Sequence, residues 1–128
     1  MNRHRLTCVV PAAALLLALG CHHSCPPPPA DPVRAREALE MALDAWKAGK
    51  AVDALEECTP AIHVVDHEWR AGLRLVAYRV EKEEPHGADL RCQVTLTLRN
   101  QRGEAVQKKA VYSVGTEPAL TVVRGDDH

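Results

Sequence analysis

The chain has 128 residues, of which 16 are Lys or Arg and 17 are Asp or Glu, and its formal net charge is −1. This length suits one small domain with a single core and excludes a second domain of similar size. Because there is no basic excess to neutralise phosphates, we do not expect the chain to bind nucleic acid.

Residues 1–20 have the pattern of an export signal. Arg3 and Arg5 make the start positive, and residues 6–20 are apolar apart from Thr7. An apolar run of this length is too short to span a bilayer as a helix, which takes about 20 residues. A basic start, a short apolar core and a small residue before the cut site are typical of exported proteins. The sequence therefore predicts a signal peptide over residues 1–20.

The end of this signal is followed directly by a cysteine. Leu17, Ala18, Leu19 and Gly20 precede Cys21, and this junction resembles the lipobox of bacterial lipoproteins. The resemblance implies that the preceding peptide is removed and that the Cys21 thiol carries acyl chains, which anchor a protein stably when there are two or more. The implied location is the cell envelope, with the exported protein anchored in a membrane by its lipid.

Residues 21–30 are predicted to be a tether between this lipid and the folded domain. Four consecutive prolines, Pro26 to Pro29, favour an extended polyproline helix, which acts as a semi-rigid spacer. The preceding stretch, Cys21 to Cys25, contains histidines and cysteines of the kinds that bind metals. Since the implied lipid would occupy Cys21, we interpret this stretch as part of the tether.

Two helices are predicted next. Asp31 is a favourable N-cap residue and Pro32 suits the first helical position. Apolar residues then recur at helical spacing as far as Trp46, and Gly49 suits the left-handed position that ends a helix. A shorter helix is predicted over residues 51–58, and residues 61–72 are predicted to be an apolar loop.

From Leu73 the apolar residues recur every second position, which indicates strands. We predict strands over residues 73–82, 90–99, 104–114 and 119–124. In the first, Val76, Tyr78 and Val80 are predicted to share one face, with Leu75 on the other. Residues 90–99 alternate most regularly between apolar and polar, which indicates an antiparallel sheet with one buried and one wet face.

Helices followed by a run of strands predict an α+β domain over residues 31–125, with a tail at residues 126–128. We expect the first helix, with the short second one, to pack on a curved antiparallel sheet of about four strands. This order resembles the cystatin-like roll and, within it, the nuclear transport factor-like superfamily. The resemblance is carried by the helix end at residues 45–50, the loop at residues 66–72 and the hairpin that follows. It implies a fold and no particular activity, because none of these segments is a catalytic motif.

Three cysteines remain as thiols if Cys21 is acylated, namely Cys25, Cys58 and Cys92. An odd number allows at most one internal pair in a compartment that permits disulfides. Cys58, at a predicted helix end, and Cys92, on the apolar face of a predicted strand, are the candidates for that pair. The alternative is that both are small buried apolar residues.

The candidate functional site is formed by His63, Asp66 and His67. The two histidines are four residues apart, so in a helical turn they would share a face and could bind zinc with a nearby carboxylate. Alternatively, a His–Asp pair could act in acid–base catalysis, as in members of that superfamily such as steroid isomerases and polyketide cyclases. The third interpretation is that these are surface loop residues, with Asp66 capping a turn.

The sequence contains no complete catalytic motif. We therefore expect a non-enzymatic binding or structural domain, with no cofactor and no resident metal. The chain has two Trp, two Tyr and no Phe, and these aromatic side chains either fill the core or line a ligand pocket. The wet face of residues 91–99 is either solvated or a contact surface for a protein partner or a second copy of the chain.

Overall fold

The computed structural model describes residues 28–125, which form an α+β fold with one main helix and a curved, open, mixed five-stranded sheet. The predicted signal peptide and Cys21 lie outside the described residues. The elements are helix α1 (Pro32–Lys47), a 3₁₀ helix (Ala54–Glu57), β1 (Ile62–Val65), helix α2 (His67–Arg70), β2 (Arg74–His86), β3 (Asp89–Arg99), β4 (Ala105–Gly115) and β5 (Leu120–Arg124). Between residues 28 and 125, no helix is both long and apolar enough to cross a membrane.

Helix α1 forms as its sequence predicts. The Asp31 carboxylate accepts hydrogen bonds from the backbone N–H groups of Val33 and Arg34, and Pro32 occupies the first turn. Beyond the last turn, Gly49 has a φ of +82°, a left-handed conformation that glycine adopts without strain. One face of the helix is buried on the sheet by Ala35, Ala38, Leu39, Ala42, Leu43, Ala45 and Trp46.

The sheet has the strand order β1-β5-β4-β3-β2, so it contains five strands where about four were expected. The extra strand is β1, which pairs in parallel with β5, whereas the remaining pairs are antiparallel. Both β1 and α2 lie in the segment predicted as a loop at residues 61–72. In β1, buried Ile62 and Val64 alternate with two exposed residues, a pattern too short to identify without its distant partner strand.

Strand β2 is longer than predicted and continues to His86, so the chain turns later than the sequence indicated. Its inner face also differs, because Leu75 is buried whereas Val76 is 38% exposed. The first of two register shifts against β3, between Leu75 and Ala77, is the cause. A bulge inserts an extra residue and changes which side chains face inward, which a strict alternation cannot predict.

The predicted second helix is reduced to the 3₁₀ turn at residues 54–57, from which Leu55 packs into the core. The predicted alternation of β3 is confirmed, since its inward apolar side chains are all buried. These are Leu90, Cys92, Val94, Leu96 and Leu98. The core therefore lies between α1 and the inner face of the sheet.

Candidate functional site

A cluster of charged and polar side chains lies between α2 and the adjoining strands β4 and β5. It comprises Asp66, Glu68, Lys108, Tyr112 and Arg124, and we call it the Asp66 network. Asp66, Tyr112 and Arg124 are 1%, 1% and 6% exposed. Charges buried to this extent require ion pairs and hydrogen bonds to remain stable.

Asp66 uses both of its carboxylate oxygens inside the protein. Oδ1 accepts hydrogen bonds from the backbone N–H groups of Glu68 at 3.0 Å and Trp69 at 3.1 Å, which makes Asp66 the N-cap of α2. Oδ2 accepts a hydrogen bond from the Tyr112 hydroxyl at 2.5 Å and lies 3.5 Å from Arg124 Nη1. The side chain therefore joins α2 to β4 and β5. Asp66 is a capping residue, as one of the three interpretations expected, but it caps a helix and is buried, not a turn in a surface loop.

Arg124 completes the network from the last strand. Its Nη2 donates a hydrogen bond to Glu68 Oε1 at 2.5 Å, and its guanidinium carbon lies 5.7 Å from the centre of the Tyr112 ring. Lys108 Nζ lies 3.2 Å from the same Glu68 oxygen. Two carboxylates are thus held against two cations, with the aromatic ring contributing a cation–π contact.

The surroundings of the network keep the Tyr112 hydroxyl protonated and the Arg124 guanidinium charged. Burial raises the pKa of Tyr112, and the neighbouring Asp66 carboxylate raises it further, so the hydroxyl remains a proton donor. Burial opposes the charge of Arg124, but Tyr112, Asp66 and Glu68 outweigh that effect and the pKa of Arg124 is raised. The guanidinium therefore stays charged.

The structure does not bring His63, Asp66 and His67 together. The side chain of His63 is 51% exposed and lies near Glu56, with Nδ1 3.7 Å from Oε1. The side chain of His67 is 60% exposed, whereas Asp66 is buried. The two histidines do not share a helical face because His63 belongs to β1, where side chains alternate. Within residues 28–125, no group of three or more His, Cys, Asp or Glu is arranged to hold a metal ion.

Cys58 and Cys92 are both free thiols, so the predicted pair is not formed. Cys92 is fully buried on the inner face of β3, whereas Cys58 is exposed just after the 3₁₀ helix. That helix lies against β1, at the opposite edge of the sheet from the β2–β3 pair. The alternative interpretation, a small buried apolar residue, holds for Cys92 and is wrong for Cys58.

The two thiols are expected to differ in reactivity. Burial raises the pKa of Cys92 from 9.0 to about 11, and the thiolate is the reactive form. A thiol reagent should label Cys58 in the native protein and Cys92 only after unfolding, as mass spectrometry of the labelled peptides would show. Because the folded state holds this proton more tightly, stability should fall as the pH rises from 9.0 towards 11. The stability of a Cys92→Ala variant should fall less over the same pH range. Rapid labelling of Cys92 in the native protein would contradict its burial.

The two tryptophans stack on each other in the core. The ring centres of Trp46 and Trp69 are 5.4 Å apart with an interplanar angle of 3°. Trp46 Nε1 donates to the Leu73 carbonyl and Trp69 Nε1 to the Lys50 carbonyl, both at 2.8 Å. This pair fastens α2 to the end of α1. Both tryptophans therefore fill the core, as one of the two interpretations of the aromatic residues predicted. They also border a cavity described below.

The sequence did not predict the Asp66 network as a unit. Its one sequence signal is Arg124, a charged residue that continues the inward alternation of Leu120 and Val122 in β5. An arginine at a core position requires a buried anion, and Asp66 and Glu68 supply it. In this arrangement Asp66 caps α2 and holds the Tyr112 hydroxyl. Arg124 pairs with Asp66 and Glu68, and each of these contacts holds elements of the fold together.

Comparisons of the chain with protein-family models, with curated proteins and with solved structures find no match. The function is therefore inferred from the residues and geometry of this chain alone.

Proposed function

We propose that the protein is a lipid-anchored component of the bacterial cell envelope, whose folded domain has a binding or structural role and is not an enzyme. The observation that carries this proposal is the export-type signal that ends at Cys21 and is followed by a proline-rich tether. Acyl chains on Cys21 would hold the protein in a membrane, and the tether would hold the domain above the headgroups.

The junction between tether and domain supports this arrangement. Ala30 packs against the hydrophobic core, and the Asp31 backbone N–H donates to Thr116 Oγ1 at 3.3 Å. Arg34 Nη1 lies 3.4 Å from Glu117 Oε1. The chain thus enters the domain at the start of α1, beside the turn between β4 and β5. This end of the domain would lie nearest the membrane.

The proposed fold family is the cystatin-like roll, within the nuclear transport factor-like superfamily. A long first helix packed on a curved sheet with a β2-to-β5 meander supports it. The short α2 of four residues stands where the superfamily usually has a further helix.

The non-enzymatic role is supported by how the Asp66 network is built. The strongest candidate for an acid–base group is Asp66, and both of its oxygens already accept hydrogen bonds that fix α2 and Tyr112. A general base must instead be free to take a proton from a substrate. Reproducible turnover of a substrate by the purified protein, abolished by His63→Ala, would contradict this role.

Lipid attachment is tested by metabolic labelling. We expect the full chain, expressed in a bacterial host fed an alkyne-tagged fatty acid, to carry the tag and to sediment with membranes. Cys21→Ser should abolish both the label and the sedimentation, because the thiol is the proposed acylation site. Cys25→Ser is the matched control and should change neither. An unlabelled full chain, or a label that depends on Cys25, would refute the anchor.

A further inference from the structure

Two neighbouring cavities lie at the carboxyl end of α1, on the far side of the domain from the tether. One, of about 550 Å³, is bordered by the tryptophan pair and by Lys50, Arg70 and Arg74. The other, of about 460 Å³, is bordered by Lys47, Arg74 and Arg99. Arg74 lines both cavities and so connects them. We call Lys47, Lys50, Arg70, Arg74 and Arg99 the distal basic site.

The charge of this site is not balanced within the protein. No Asp or Glu lines either cavity. Within residues 28–125, Lys47, Lys50, Arg70 and Arg74 form no ion pair, whereas Arg34, Arg36 and Arg79 elsewhere on the surface each pair with a glutamate. The chain as a whole has a net charge of −1, so this excess of cations is local to this end of the domain.

Two of these arginines face each other across a strand pair. Arg74 on β2 and Arg99 on β3 are direct register partners, and like charges in directly opposite positions destabilise a sheet. Arg99 Nη1 donates to the Gly103 carbonyl at 3.2 Å, which holds its side chain without neutralising it. The helix dipole stabilises cations at the end of α1, which accounts for Lys47. The helix dipole does not account for the arginine pair. An anion between the two guanidinium groups would relieve their repulsion.

We propose that the distal basic site binds a ligand that carries two or more phosphate groups. The two cavities provide adjacent positions for two anionic groups, with Arg74 placed to contact both. Guanidinium groups bind phosphate through paired hydrogen bonds. Five cations suit phosphate better than carboxylate, since each phosphate monoester carries a charge of about −1.5 to −2. Partly buried Val52 and Leu73, on the wall of the larger cavity, offer apolar contact to the remainder of the ligand.

The position of the site bears on the source of the ligand. Helix α1 has 16 residues, so it separates the tether junction from the site by about 24 Å at 1.5 Å per residue. If the domain is anchored as proposed above, on which this step rests, the site faces away from its own membrane. The ligand would then be a soluble or polymer-borne phosphate and not a headgroup of the anchoring membrane.

Calorimetric titration with tripolyphosphate tests the site. The protein is the full chain carrying Cys21→Ser, which removes the proposed acylation site, at about 0.15 M salt so that weak long-range attraction is screened. We expect saturable binding that falls by about tenfold or more when Arg74→Gln and Arg99→Gln are combined, because charge-assisted bonds are lost. Lys109→Gln, an exposed cation of β4 outside both cavities, is the matched control and should bind as the parent does.

Thermal unfolding separates loss of the site from loss of the fold. Without ligand, the double arginine variant should be at least as stable as its parent, because a repulsive pair has been removed. Tripolyphosphate should raise the unfolding temperature of the parent and of Lys109→Gln, but not that of the double variant. A double variant that still gains stability from tripolyphosphate would overturn the assignment to these arginines.

Two further titrations define the ligand class. Citrate that binds as tightly as tripolyphosphate would overturn the preference for phosphate. Binding to phosphatidylglycerol vesicles without binding to tripolyphosphate would make a lipid headgroup the ligand and would also overturn the proposal, as would the absence of any tripolyphosphate binding. These titrations use a chain with Ser at position 21, so their failure would not contradict the proposed lipid anchor. Failure of the lipid labelling would likewise not contradict binding of tripolyphosphate.

Discussion

Asp66→Ala is expected to lower the free energy of unfolding by about 3–5 kcal/mol, the loss typical of breaking a buried ion pair by removing one partner. The substitution removes the N-cap of α2 and the acceptor for the Tyr112 hydroxyl. It also leaves the guanidinium of Arg124 buried with one carboxylate fewer. Urea denaturation followed by circular dichroism would measure the loss.

Asp31→Ala is the matched control for this variant. Asp31 caps α1 through the same kind of bond, accepting from two backbone N–H groups, but its side chain is exposed and makes no buried ion pair. Loss of an N-cap alone costs about 1 kcal/mol. The difference between the two variants therefore reports the buried contacts of Asp66. Equal losses would mean that the Asp66 network adds nothing beyond helix capping.

Trp69→Ala is expected to cost about 3–5 kcal/mol, the range for truncating a large buried aromatic side chain. Trp69 is 6% exposed and stacks on Trp46, so truncation leaves a cavity beside that ring. It also removes the hydrogen bond to the Lys50 carbonyl that fastens α2 to the end of α1. The same urea titration measures the loss, with near-ultraviolet circular dichroism reporting the stacked pair.

Trp69→Phe separates packing from hydrogen bonding at this position. It keeps a ring against Trp46 but has no ring N–H group, so we expect a smaller loss than for Ala, about 1–3 kcal/mol for the lost hydrogen bond to the part-buried Lys50 carbonyl together with the reduced ring. If Trp69→Ala cost no more than Trp69→Phe, the stack would contribute nothing to stability.

The elements that the sequence predicts well are long and have local signals. Helix α1 has a capping aspartate, a proline in its first turn and a complete apolar stripe, and these signals all lie within the helix. Strand β3 alternates over 11 residues. A pattern sustained over several turns or residue pairs is determined by local burial, so it can be identified without knowledge of the partner elements.

The elements that the sequence did not predict depend on distant contacts. Strand β1 has four residues, and it is a strand because β5 lies beside it. The inner face of β2 depends on bulges against β3, which no alternation rule within β2 contains. Short strands and register shifts are set by tertiary pairing, which a single sequence does not display.

The candidate site was predicted in the right segment but with the wrong geometry. Asp66 does cap α2, but His63 and His67 do not converge, because the helical spacing applied to them does not hold across a strand end. The distal basic site has no sequence motif at all. Its members come from α1, α2, β2, β3 and a loop, spread from Lys47 to Arg99, and only the fold brings them to one end of the domain.

The parallel pairing of β1 with β5 has a consequence for how the protein folds. Arg124 contacts Glu68 across a separation of 56 residues, and β5 is the only strand that pairs with β1 within the described sheet. Contacts this distant along the chain slow folding, because a long loop must close before they can form. One sheet edge and the buried charges beside it therefore stay incomplete until the last strand has been synthesised. If the chain is exported unfolded, as the proposed signal peptide implies, such a delay would keep this part of the domain open during passage.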